Sequence, residues 1–448
     1  MKTLLRSMLA VIVLATTPMF AQDTANAPDT DTTDAPKPFV RKITMQHFRS
    51  IDQRGINVFE TPKLDDTVRF EGFKLDFNAA FSQPIQALRH SNEATPVMAG
   101  AVNQNELMRM GFGFTGASAN LYLNAQLADG IRVMMTSYLS TRHHNETWVK
   151  DGYMLIDKLP FRHDLLDFMM AFTTLKVGHF EVNYGDAHYR RSDGGHAMYN
   201  PFVENYLLDA FATEVGAEVD LRAAGFLAVA AVTGAEIKGN ILKPEDRAPA
   251  LIGKLGFDRQ LTPKLRVRLT GSTYRNAKSP GNTLYAGDRS GSRYFYVLEN
   301  TQAVSTSQFR SGRLNPGFGY RVTANQINPF LKYGGLEVFG VIEQASGRNK
   351  NEAADRTWRQ YATDVVYRFL ADEKAYIGLR LNKATGQLAG ITGNVGANRI
   401  AVGGGMFLTP NVLMKGEYVV QKMLNFPTDN INHGGKFNGL VLEAVIAF

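Results

Sequence analysis

The stretch 175–201, LKVGHFEVNYGDAHYRRSDGGHAMYNP, holds the densest set of chemistry-bearing side chains in this chain. Its first part alternates as a strand does, with Phe180, Val182 and Tyr184 on one side and His179, Glu181 and Asn183 on the other. Gly185 and Asp186 then break the alternation, and Tyr189, the pair Arg190 and Arg191, and the run Ser192, Asp193, Gly194, Gly195 follow. A loop of roughly twenty residues in a compact fold is commonly a functional one. Folded inward across a channel, Asp186, Tyr189, Arg190, Arg191 and Asp193 would form a constriction with two guanidinium groups at its edge. Folded outward, the same charges would only be solvated.

Other clusters give weaker chemistry. His143 and His144 with Glu146, and His188 with Asp186, have the donor types of a metal site, but adjacent polar loop residues are more often solvated than ligating. No G-x-S-x-G elbow and no H-E-x-x-H element occurs. With no cysteine, neither a disulfide framework nor a thiolate metal site is available. The expectation is therefore no catalytic centre, no metal and no cofactor. The formal net charge of +7 comes without a Lys/Arg-rich block or an aromatic-basic RNA motif, so no nucleic-acid partner is expected.

The elements that must position these residues read as strands. From Phe73 the period is two, with Phe73, Leu75, Phe77, Ala79 and Phe81 alternating with Lys74, Asp76, Asn78, Ala80 and Ser82. Leu121, Leu123, Ala125 and Leu127 alternate with Tyr122, Asn124 and Gln126; Asp129-Gly130 supplies a tight turn, and Ile131, Val133 and Met135 return against Arg132, Met134 and Thr136. Further short turns fall near 222–225, 261–264, 333–335, 371–374 and 409–411. Longer polar or Gly-rich connections fall at 83–105, 141–147, 186–205, 278–290, 346–356, 383–398 and 424–435. Short turns alternating with long loops are the signature of a transmembrane antiparallel β-barrel, with short periplasmic turns, long exterior loops and about 16 strands, within a range of about 14 to 18.

The ends agree with that fold class. Lys2 and Arg6, an apolar run over 8–15 and the small Ala21 have the order of a secretory signal, with cleavage expected after residue 21. Residues 22–66 are expected as a flexible tether and an N-terminal periplasmic segment. Within them 22–37 is too polar to order itself, and 40–66 is either an extension outside the barrel or a piece folded into its mouth. Residues 67–448 are expected as the barrel. The last segment alternates Leu440, Leu442, Ala444, Ile446 and Phe448 with Val441, Glu443, Val445 and Ala447; this resembles the closing-strand signal of outer-membrane proteins, in which a terminal aromatic ends an alternating strand, and the resemblance implies Phe448 as an assembly signal read by the barrel-assembly machinery.

If the apolar half of each strand meets lipid, the other half looks into water. That assigns Lys74, Asp76, Arg132, Arg266, Arg268, Arg380, Lys415 and Glu417 to the lumen. Basic residues outnumber acidic ones in this set, and a basic ring on low-dielectric walls favours anions. Against this, each Arg can equally pair with a neighbouring carboxylate.

The run WVKDGYMLID at 148–157, followed by LKVGHFEVNYG and a polar loop, resembles the phosphate-selective porin O and P-like family. The resemblance covers about a quarter of the chain, and the lysine-rich ladder of the phosphate-specific members is not evident. It implies a 16-stranded, homotrimeric porin in the outer membrane of a Gram-negative cell. The functional expectation is a passive, anion-leaning channel for small hydrophilic solutes, with anions such as phosphate among them. A barrel hydrolase and a non-conducting structural or adhesion barrel are the alternatives, and conductance discriminates between them and the channel.

Overall fold

In the computed structural model of the protein, residues 45–60, 68–141, 147–161, 163–237, 241, 243–286, 292–304 and 312–448 are described. The expected leader, the tether at 22–37 and the group of His143, His144 and Glu146 lie outside them. Sixteen long strands close into one antiparallel barrel: β1 (Lys74–Ser91), β2 (Ser118–Ala128), β3 (Ile131–Ser140), β4 (Trp148–Ile156), β5 (Thr173–Glu181), β6 (Thr213–Ala223), β7 (Phe226–Thr233) and β8 (Ala250–Gln260), then β9 (Leu265–Asn276), β10 (Arg321–Tyr333), β11 (Leu336–Arg348), β12 (Arg356–Phe369), β13 (Ala375–Gly386), β14 (Val395–Thr409), β15 (Val412–Leu424) and β16 (Lys436–Ala447). Each strand pairs with its neighbours in sequence. The ring closes where β1 meets β16, with Ala80 opposite Ala447 and Ser91 opposite Lys436. Closure leaves no open edge, as a sheet in hydrocarbon requires.

The two-residue period decides which way each side chain points. In β12, Arg356, Trp358, Gln360, Ala362, Asp364, Val366 and Arg368 are buried, while Arg359, Tyr361, Thr363, Val365, Tyr367 and Phe369 are exposed. Around the barrel the exposed set is apolar, with Leu269, Ile342, Ile377, Val402 and Leu408 each about half exposed or more. A continuous greasy exterior around a polar interior inverts a soluble protein and matches a hydrocarbon layer.

Short connections sit on one rim and long ones on the other. The short rim includes Asp129-Gly130, 224–225, 261–264, 334–335, 370–374 and 410–411. Gly130 has φ +74°, and a Cβ there would lie 2.6 Å from the Lys158 nitrogen, so this turn needs glycine. The C-terminal residue is at the same rim, its backbone exchanging hydrogen bonds with Ala79 at 2.8 and 3.0 Å.

Several features differ from the sequence expectation, among them the connections expected at 383–398 and 186–205, which are 387–394 and 182–212. β1 continues to Ser91, through the first nine residues of the connection expected at 83–105, because its inward positions pack against interior segments rather than water. The connection expected at 278–290 runs from 277 to 320. The short rim also carries an unexpected helix, α1 (Asp164–Met170), between β4 and β5.

The interior is not a water-filled tube. The β5–β6 connection, 182–212, turns into the barrel. Its segment 202–208 is almost wholly buried, with Phe202, Val203 and Leu207 at 0% exposure, packed against inward residues such as Val366, Ala401 and Val419. Part of the β9–β10 connection joins it, with Tyr294 and Leu314 buried in the same clusters. Residues 45–60 also lie inside, near the short rim: Gln53 N donates to Pro410 O, and Gln46 contacts Gln126, Asp129 and Gly130. Of the two placements expected for 40–66, residues 45–60 therefore take the one inside the mouth.

Candidate solute path

The inner loop divides the barrel interior into a packed side and an open side. On the packed side, β8 to β16 meet the loop through buried ion pairs. Asp186 sits between the Lys254 ammonium at 3.0 Å and the Arg268 guanidinium at 2.8 Å, and accepts from the Thr270 hydroxyl at 2.7 Å. Glu60, from the N-terminal segment, joins the same cluster through Arg268 at 2.8 Å and Lys254 at 3.2 Å. Burial alone would raise both carboxyls, but Lys254 and Arg268 outweigh it and hold Asp186 below, and Glu60 well below, the usual carboxylate range. Arg190 belongs here too: it bonds to Asn57, lies 3.6 Å from Glu337 and stacks over Phe339.

The remaining inward charges are also partnered. Arg380 makes a two-point contact with Asp364 at 2.7 and 2.8 Å and donates to the Glu204 carbonyl at 2.7 Å. Lys415 lies 3.2 Å from Glu443 and donates to the carbonyls of Ala197, Asn200 and Phe202. Glu417 accepts from the Val203 amide and the Tyr294 hydroxyl. Arg266 pairs with Asp258 at 2.7 Å and Arg132 with Asp157 at 2.6 Å. Lys74 lies 3.4 Å from Glu71, and Asp76 accepts from Asn78 at 2.8 Å, both half-buried toward the short rim. All eight side chains assigned to the lumen project into the barrel interior, but as members of ion-pair and hydrogen-bond networks rather than as an open basic ring.

On the open side a cavity of about 250 Å³ remains between the loop and the wall of β2 to β6. The wall supplies Tyr122, Asn124, Arg132, Met134, Thr136, Lys150, Asp151, Tyr153, Lys176, Phe180, Asp220 and Arg222. The loop supplies Asn183, His188, Tyr189, Arg191, Asp193, His196 and Tyr199, and the N-terminal segment supplies His47, Phe48, Arg49, Ile51, Phe59 and Glu60. Of the constriction candidates, Tyr189, Arg191 and Asp193 border this space, whereas Arg190 and Asp186 turn to the opposite wall. Successive side chains of this loop leave its backbone in different directions, so one loop lying between two walls divides its charges between them.

Two local devices aim groups into the cavity. β3 and β4 lose register where Thr136 faces Asp151 but Ser137 faces Val149, which leaves Lys150 as an extra residue in a bulge. Lys150 and Asp151, which strict alternation would send to opposite faces, therefore both border the cavity, and Lys150 reaches Glu181 at 3.1 Å and Asp193. The second device is the pair Gly194 and Gly195. A Cβ on Gly195 would lie 2.4 Å from the Ala119 Cα, so only glycine lets the loop press against β2, where its amide donates to Asn120 at 2.8 Å. The Lys-Asp element was visible in the sequence; the bulge that points both side chains inward was not.

Arg49 and His196 were missed by the sequence reading as members of this site. The Arg49 guanidinium stacks over Tyr199 at 3.7 Å and donates to the carbonyls of Gly55 and Tyr189. His196 donates from Nε2 to the Ile51 carbonyl at 2.7 Å and lies 4.2 Å from the Tyr199 ring, and burial pushes it down to about 3. His188 contacts Glu181 at 2.7 Å and is also lowered by burial, partly offset by that carboxylate. Among the described residues no cluster has the composition of a metal site.

No family model matches the chain, and no curated protein matches it. Among solved structures it is similar to an anion-selective porin from Comamonas acidovorans, at 10% identity over 84% of this chain and 100% of that one, with a TM-score of 0.48. It is also similar to the outer membrane channel DcaP of Acinetobacter baumannii, at 9% identity over 85% and 99% with a TM-score of 0.47, and to OprB of Pseudomonas putida, at 10% over 84% and 94% with a TM-score of 0.46. No residue role is transferred from them.

Proposed function

We propose that this protein is an outer-membrane porin, a passive channel rather than an enzyme, that admits small hydrophilic solutes along the β2–β6 side of its interior. The observation that carries this reading is the polar cavity left between the inner loop and that wall, inside a closed barrel whose outer surface is apolar. Its lining holds six basic side chains, Arg49, Arg132, Lys150, Lys176, Arg191 and Arg222, and six acidic ones, Glu60, Asp151, Asp157, Glu181, Asp193 and Asp220. A balanced lining gives no strong lean by itself, so a small anion lean must come from an unevenly paired cation. The lean is assigned to Arg49, which is held by carbonyls and a ring face rather than by a carboxylate, with phosphate among the anions admitted. Self-association as a homotrimer is assigned to the outer face of β2 to β7, where outward positions such as Ala125, Val177, Ala217, Val219 and Ala230 are small or apolar and none is Lys or Arg. Phe448, exposed at the end of β16, is the group offered to the assembly machinery.

Purified protein in a planar bilayer tests this. Stepwise conductance is expected, and its absence overturns the channel reading. The reversal potential in a salt gradient should lie slightly to the anion side, more so at low salt, because the Debye length is about 30 Å at 0.01 M and about 3 Å at 1 M. Arg49→Gln should move it toward the cation side. Cation preference of the unaltered protein would remove the anion assignment and leave the channel standing.

A further inference from the structure

The outer surface carries a second chemical feature, above the apolar belt and on one side only. Going up β13, the outward residues are Ile377, Leu379 and Leu381, then Lys383. On β15 they are Met414, Tyr418 and Val420, then Lys422, and on β16 Leu442 and Leu440, then Asn438 and Lys436. Strand register puts these terminal residues side by side: Lys383 faces Asn398, Asn398 faces Lys422, and Lys422 faces Lys436. Arg359 on β12 extends the row, donating to Gln344 at 2.9 Å, and Arg89 on β1 lies opposite Asn438. All five cations are exposed. Their carboxylate neighbours are sparse: Glu93 lies 4.0 Å from Lys436 and is itself 69% exposed.

Like charges directly opposite one another across a strand pair destabilise it, and Lys422 and Lys436 are in that position. An anion between them would turn that repulsion into attraction. Directly below, toward the short rim, the same strands present Val420, Tyr418 and Leu440, a surface for alkyl chains. The matching occupant has a phosphate head at the height of the cations and acyl chains at the height of the belt. The outward positions of β2 to β7 hold no Lys or Arg; on β9 to β11 Arg321 and Arg348 lie 3.6 and 3.5 Å from Asp355, and Arg275 is a separate exposed cation outside the row.

We propose that the arc formed by Arg359, Lys383, Lys422, Lys436 and Arg89 is a binding surface for a phosphorylated lipid of the long-loop leaflet. It rests on the membrane-spanning reading, and heat-modifiable migration of the purified protein reports that reading separately. The head groups bridge neighbouring strands, with phosphate oxygens accepting from Lys422 and Lys436 together, and the acyl chains lie along Val420 and Leu440.

The test is native mass spectrometry of the detergent-solubilised full chain titrated with bisphosphorylated lipid A and, in parallel, with phosphatidylcholine. The unaltered protein should retain lipid A and release phosphatidylcholine. The triple change Lys383→Gln, Lys422→Gln and Lys436→Gln should weaken retention by at least about tenfold. The control triple Arg259→Gln, Lys264→Gln and Lys374→Gln, on exposed positions toward the opposite rim, should change it less than about twofold. Equal retention by the arc variant, or equal loss in the control, overturns the proposal. So does complete displacement of lipid A by excess inorganic phosphate, which would mark a free-anion site. If the triple variant loses heat-modifiability, Lys422→Gln alone replaces it, with a few-fold loss expected and no loss overturning the proposal.

Discussion

Thr270 on β9 and Thr136 on β3 are both inward threonines on barrel strands, yet they face different surroundings. Thr270 donates to Asp186 of the inner loop and is sealed beneath it; Thr136 borders the cavity. The contrast extends along both walls. From β8 to β16 the interior is a protein core of rings and ion pairs, whereas from β2 to β6 it remains a lined space. The same alternation of apolar and polar positions thus yields a packed core or a lined space, depending on whether a loop lands on it.

The largest expected effect falls on the packed side. Removing one partner of a buried pair strands the other charge, at a cost of about 3–5 kcal/mol. Asp364→Ala leaves Arg380 without its two-point partner and Tyr206 without its acceptor, so the urea midpoint and the temperature of heat modification should both drop markedly. An unchanged midpoint would mean that the wall of β12 and β13 is open to water.

The next effect compares the two threonines directly. Thr270→Trp drives a large ring into a filled core and should destabilise by about 1–3 kcal/mol or more. Thr136→Trp should destabilise less than Thr270→Trp and instead lower single-channel conductance several-fold, because the ring enters the free volume. Equal conductance loss in the two variants, with both folded, would erase the distinction between the sides.

The smallest effect depends on pH. His196 is held neutral by burial, with its folded value near 3 and an ordinary value near 6.5. The unfolded chain therefore binds more protons between those values. The contribution of His196 to stability is complete above about pH 6.5 and declines as the pH falls toward 3. His188, also lowered, has the same sign. Glu60 and Asp186 are depressed carboxylates, whose contribution is lost only below the carboxylate range, and other buried groups are common to both proteins, so the His196 share between pH 6.5 and 5 is the difference between the unaltered protein and His196→Gln. As the pH falls across that window, the midpoint of the unaltered protein should drop relative to that of His196→Gln. A slope unaltered by that change would place the ring in water.

Much of this architecture is legible in the chain because it is local. The pleat alone sends Leu265, Val267 and Leu269 one way and Arg266, Arg268 and Thr270 the other. Asp129-Gly130 makes a hairpin wherever it sits between two alternating runs. Strand rhythm, the two kinds of connection and the sixteen strands therefore follow from period and punctuation. The bulge at Lys150 did not follow, since nothing in WVKDGYMLID marks which residue lacks a partner across the strand pair.

What only the tertiary structure decided is the partner of each inward charge and which side of the barrel is filled. Arg380 meets the Glu204 carbonyl across 176 residues of chain, Lys415 meets Ala197 across 218, and Asn57 meets Glu337 across 280. A pattern with a two-residue period carries no information at that range. Periodicity fixes that a guanidinium points inward, because the direction of a side chain is set by its own backbone. Whether that guanidinium meets water or a carboxylate depends on where the loop at 182–212 and the segment at 45–60 come to rest, and that is fixed by the volume enclosed when the sixteenth strand meets the first.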